Sequence, residues 1–155
     1  MKYNPIQNFI NGKFVAPQTQ ITMDVISPLD GTLLSTVPMS SAKELDDAVK
    51  AAAAAFPAWS KTPIKERVQV FFRYKTLLEK NLKELAELCS EENGKTYGES
   101  VAEIEKCIEL TEFATSLPQL VTGELLEVSR GVERTTHHAP SGVAASIAPL
   151  TLPTT

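Results

Sequence analysis

Between Thr62 and Gly94 the chain carries one sustained helical signal, and no other feature limits its fold so strongly. Thr62-Pro63 opens it: threonine caps, and proline at the first helical position loses no hydrogen bond. Phe71, Tyr74, Leu78, Leu82, Leu85 and Cys89 then recur on one face. Gly94 supplies the left-handed residue that closes a helix, with Lys95 after it. The spacing predicts a single helix of about 30 residues, about 45 Å long at 1.5 Å per residue. A helix of that length crosses a larger body than 155 residues provide.

What flanks this segment sets the fold class. In "NFINGKFV", Asn11-Gly12 accepts positive φ at both central positions and predicts a tight hairpin. Ile21, Met23 and Val25 alternate with polar residues, as in a strand, and "TLLSTVP" reads as another. Ser41 and Glu44 form a capping box ahead of a stripe of Leu45, Ala48, Val49, Ala52 and Phe56 that predicts a buried face ending at Pro57. A third helix carries Val101, Ile104, Ile108 and Thr111, with Pro118 kinking or ending it and Gly123 closing what remains. "GVERTTHHAP" reads as one strand and "GVAASIAP" as a second, more buried one, where Ala144, Ala145 and Ser146 allow close approach. The order β, three helices, β defines an α+β fold without alternating βαβ units or a glycine-rich phosphate loop.

Composition narrows the function classes. A net charge of −4 argues against nucleic-acid partners. No apolar run approaches the roughly 20 residues that span a bilayer, so no membrane partner is expected. The opening residues do not have the apolar core of a signal peptide, and two cysteines make no disulfide framework, which points to a cytoplasmic protein.

Candidate chemistry is sparse. Cys89 lies on an apolar helix face and Cys107 at the edge of one; both read as packing rather than as nucleophiles. His137 and His138, adjacent on a predicted strand, point to opposite faces and are no metal pair; no metal site is expected. Glu91, Glu92, Glu99, Glu103, Glu105, Glu109 and Glu112 read as a solvated helix surface.

A family resemblance reaches further. "NFINGKFV", "SPLDGTLLSTVP", "ELDDAVKAAAAAFPAW", "ERVQVFFRYKTLLEKNLKELAELCSEENGKT", "GELL" and "GVAASIAPLTLP" come in the order and spacing of the N-terminal part of an aldehyde dehydrogenase. The chain most resembles the CoA-acylating methylmalonate-semialdehyde dehydrogenases of that superfamily. The resemblance implies an α+β portion of an α/β superfamily fold. Residues 1–38 would be β-strands, 41–122 a helical layer and 125–140 an oligomerisation-type strand. Residues 141–155 would be the first strand of a Rossmann-like cofactor domain that this chain does not include.

In the family a cysteine thiolate attacks the aldehyde, hydride passes to NAD, and in this branch CoA takes the acyl group. The family's catalytic cysteine and general-base glutamate lie beyond the stretch resembled, so no catalytic residue is assigned here. Relatives end the last strand Ile-Ala-Pro-Phe-Asn-Phe-Pro. By that match Ala148 and Leu150 stand where the branch contacts NAD, and Thr151 where an Asn amide stabilises the oxyanion. Loss of such a donor costs about 2.7–4 kcal/mol of transition-state stabilisation. The resemblance therefore implies a truncated chain, inactive alone and without tight NAD binding. Full-length relatives would be dimers or tetramers acting on an aldehyde and CoA. The alternative is a non-catalytic interaction or oligomerisation module.

Overall fold

The computed structural model describes residues 1–147. Strands β1 (Asn8–Ile10) and β2 (Lys13–Val15) form the first hairpin. Its turn residues Asn11 and Gly12 sit at φ 52° and 75°, the mirror-image turn that the dipeptide favours. Phe9 and Phe14 pack edge to face across it at 5.1 Å. Strands β3 (Thr22–Ile26) and β4 (Leu33–Pro38) pair antiparallel with Met23 opposite Val37 and a bulge at Val25/Ile26. The N-terminal segment lies along β4: Tyr3 N donates to Leu34 O at 2.8 Å and Ile6 N to Thr36 O at 2.9 Å.

Helix α1 (Ala42–Trp59) starts at the capping box foreseen, with Ser41 and Glu44 bonded reciprocally. Pro57 does not end it. The helix runs on to Trp59 because Ser60 N still reaches Phe56 O, and proline near a helix end forfeits little beyond its own bond.

The single long helix resolves into three lengths: α2 (Ile64–Arg67), α3 (Gln69–Lys80) and α4 (Leu82–Asn93). Asn81 causes the second break. Its side-chain Nδ2 donates to Leu77 O at 2.8 Å, the same carbonyl its own N–H uses, and its φ and ψ move to −106° and 14°. This is the local competition by which asparagine disfavours helix interiors. At Val68 the chain tightens, ψ reaching −15°, with the N–H shared between Ile64 O and Glu66 O. Helix α5 (Tyr97–Thr115), capped by Thr96 and Glu99, lies against both α3 and α4. Buried Ala86 and Ser100, on α4 and α5, are small enough to let those helices approach closely. After α6 (Leu117–Leu120), with Pro118 in its only turn, strands β5 (Glu124–Ser129) and β6 (Val132–Thr136) form the last hairpin. The one oligomerisation-type strand of the sequence reading is thus a two-stranded unit.

Among the described residues the buried apolar ones are few: Leu34, Val68, Leu78 and Ala86. The stripe expected to be buried on α1 is not, with Leu45 66% and Val49 46% exposed, because the strand that chiefly packs against that helix, β1, is three residues long. The chain exposes 12027 Å². A folded monomer of 16.9 kDa exposes about 7,700 Å².

Candidate functional site

The resemblance directs attention to the chain following β6. A backbone clamp holds its start. Gly123 faces the Thr136 carbonyl so closely that a Cβ there would lie 2.6 Å from that oxygen, so only glycine fits without a shift. Beside it, His138 Nε2 donates to Thr122 O at 3.1 Å, which fixes the proton on Nε2 in the neutral ring. These contacts tie the end of α6 to the exit of β6.

The strand read from "GVAASIAP" is not formed over residues 141–147, which have no regular secondary structure. Among the described residues no neighbouring strand pairs with them, and an apolar stretch does not hold strand geometry without a ladder. Ile147 is 93% exposed. Ala148, Leu150 and Thr151, assigned to NAD contact and to the oxyanion position, lie outside the described residues.

A cleft of about 690 Å³ opens between this segment and the start of the long helical run. Arg67, His137, His138, Thr136 and Ser141 line it, with Ser60 and Thr62 opposite. Both histidines reach this cleft, against the opposite-face expectation, because β6 ends at Thr136 and they stand beyond its alternation. No cysteine or carboxylate joins them in the lining. Among the described residues no group of three potential metal ligands occurs.

Cys89 lies elsewhere, at the α4–α5 contact. Its thiol donates to Glu103 Oε2 at 3.2 Å, and Glu103 also pairs with Lys95, whose side chain is 8% exposed. Burial pushes the Cys89 thiol up, and the carboxylate it faces pushes it further the same way. Such surroundings keep a thiol protonated, the reverse of what a nucleophile requires. Cys107 is exposed, not packed at a stripe edge, and its carbonyl accepts from Thr111 Oγ1 at 2.7 Å.

Several carboxylates read as solvated surface are fasteners. Glu91 takes the Lys2 ammonium and the Tyr3 hydroxyl, pinning the N-terminus to α4. The sequence reading missed the wider part played by Glu44. It is buried; its Oε1 accepts from Asn8 Nδ2 at 3.1 Å and Gln18 N at 2.9 Å, while Oε2 accepts from Ser41 N at 2.8 Å. The N–H groups of Ser41 and then Gln18 hold its carboxyl below the ordinary glutamate value. The capping motif signalled the Ser41 contact; those to Gln18 and Asn8 join residues 26 and 36 positions away and leave no local mark.

Capped helices in this order, the hairpin after α6 and the segment beyond β6 are arranged as in one family of oxidoreductases. The sequence profile of the aldehyde dehydrogenase family matches residues 14–155, and the chain belongs to that family. Within it the chain is similar to malonate-semialdehyde dehydrogenase 2 of Geobacillus kaustophilus, 40% identical over 149 residues. That match takes in 96% of this chain and 31% of the relative. The malonate-semialdehyde dehydrogenase of Lacticaseibacillus casei is equally similar at 40%, with 30% of its length matched. The crystal structure of methylmalonate-semialdehyde dehydrogenase from Oceanimonas doudoroffii superimposes with a TM-score of 0.78 at 33% identity, over 84% of this chain and 27% of that one. A Sinorhizobium meliloti protein assigned to the same activity and complexed with NAD gives 0.79 at 34%, over 87% and 28%. The chain thus spans about a third of the length of the curated relatives it matches.

Proposed function

We propose that this chain is the N-terminal portion of an NAD-dependent, CoA-acylating aldehyde dehydrogenase acting on malonate or methylmalonate semialdehyde. In that reading β1–β4 and the helical layer buttress the enzyme body. The β5–β6 pair is a subunit contact of a dimer or tetramer, and residues 141–155 lead into the cofactor domain. Ala148 and Leu150 would line the NAD site, and Thr151 would stand at the oxyanion. Bound NAD would supply the hydride acceptor; the nucleophilic thiol and the base would come from residues that this chain does not contain.

The observation that carries the reading is the 40% identity sustained along 149 residues. The exposed area agrees with it: the excess of roughly 4,000 Å² over a folded monomer is surface that a larger body would cover. The raised Cys89 thiol also agrees with a nucleophile located elsewhere. The test is to mix the purified 155-residue chain with malonate semialdehyde, NAD and CoA and follow NADH absorbance. No turnover is expected, and NADH formation above background would overturn the reading.

One observation favours a second reading, a non-catalytic oligomerisation module. All residues of β5 and all but the last of β6 are exposed, Leu125 and Val128 among them, and a lone two-stranded hairpin is marginal in water. Co-elution of the chain with a full-length relative, with no change in the relative's turnover, would favour this module.

A further inference from the structure

We infer that the cleft between α2 and the segment following β6 is a binding site for a small oxyanion, held by Arg67. The inference does not depend on the dehydrogenase reading. Arg67 is half-buried, and its Nε is enclosed with no hydrogen-bond partner. Among the described residues it enters no ion pair, although the chain has 19 acidic side chains. A partly desolvated cation without a counter-charge is costly, and a bound anion relieves that cost.

The lining matches this need. It contains no Asp or Glu, and Arg67 is its one fixed charge. Ser60 and Thr62 give their hydroxyl protons to Pro57 O and Ala58 O and present only lone pairs. His138 gives its Nε2 proton to Thr122 O. The side-chain donors left to meet an anion are the terminal guanidinium nitrogens, His137, and the hydroxyls of Thr136 and Ser141. A guanidinium fork matches two oxygens of one phosphate or carboxylate, whereas a spherical halide meets only one N–H at a time. The ligand class is therefore a multi-oxygen anion rather than a halide.

The experiment is calorimetric titration of the full 155-residue chain at constant ionic strength with inorganic phosphate, malonate and chloride in separate arms. Saturable binding of phosphate or malonate, with none of chloride, is expected; the arm that saturates assigns phosphate or carboxylate. Arg67→Lys keeps the charge and loses the fork, and is expected to weaken binding roughly tenfold or more, the worth of one charge-assisted bond. His137→Gln, which leaves Arg67 in place, is expected to weaken it less. Circular dichroism of each variant verifies the fold. Absence of saturation in the phosphate and malonate arms, saturation by chloride alone, or equal affinity in a folded Arg67→Lys variant would overturn the proposal.

Discussion

Replacing Gly94 by alanine tests how the β3–β4 turn is docked onto the helices. Two costs are separable. Gly94 sits at φ +69°, where an L side chain strains against its own backbone by about 1–2 kcal/mol. The added Cβ would also lie 2.9 Å from Pro28 Cγ, and a proline ring cannot swing aside as a long chain does. Overpacking of this kind costs about 1–3 kcal/mol. The two together come to about 2–5 kcal/mol. Gly31→Ala provides the control: it sits at φ +77° but has nothing within 4 Å of the new Cβ, so it incurs the backbone cost alone. Urea denaturation followed by far-UV circular dichroism should place both variants below the parent, Gly94→Ala at least 1 kcal/mol lower than Gly31→Ala at similar slope. If the two variants unfold at the same midpoint, the Pro28 contact does not brace the helices and the reasoning fails.

Other perturbations follow from the same geometry. Glu44 has its carboxyl lowered in the fold, so its contribution is whole above the ordinary value of 4.5 and is lost as pH falls through the lower folded value. Denaturation midpoints should therefore drop more steeply with acid in the parent than in Glu44→Gln, and parallel profiles would count against the carboxylate's role. At pH 8 Cys107 should be alkylated faster than Cys89, and Glu103→Gln should speed Cys89 labelling by removing the carboxylate that raises it, as peptide mass spectrometry would read. A chimera joining this chain to the remaining two thirds of a Geobacillus malonate-semialdehyde dehydrogenase should turn over about 10²–10³-fold more slowly than the parent enzyme, and Thr151→Asn should recover most of that loss. A chimera as fast as the parent would remove Thr151 from the oxyanion position.

Features written in a few adjacent residues were legible in the sequence. Asn11-Gly12 gives its turn, Ser41/Glu44 its capping box and Gly94 its left-handed cap, because each rests on bonds closed within four residues. The helix from Pro63 to Gly94 was only half legible. Its apolar period is real, but one Asn81 side chain competes for the Leu77 carbonyl and divides it. The α1 stripe misled for a different reason. Periodicity reports that a face is apolar, not that this chain covers it. The Glu44 contacts to Asn8 and Gln18 were invisible, because nothing local marks a pairing between distant segments.

Under the proposed function, the uncovered faces and the unreactive thiols would have one physical cause. Aldehyde oxidation of the family type needs a low-pKa thiol, a base and a held dinucleotide within a few ångströms of one another. Of two thiols here, the one at a helix contact is half-buried against a carboxylate that favours its protonated form, and the other is on the outer surface. The exposed apolar residues tell the same story from the packing side. Leu45 and Val49 on α1, Phe9 and Phe14 on the first hairpin, and Leu125 and Val128 on the last are all spent on no core in this chain. At about 25 cal/mol per Å², leaving them in water forfeits several kcal/mol that a covering surface would return. Size-exclusion chromatography of the chain alone should accordingly show self-association, lessened by Leu45→Glu and Leu125→Glu. A sharp monomer peak at high concentration would mean that these faces need no cover, and the account of the chain as one part of a larger oxidoreductase would lose its support from packing.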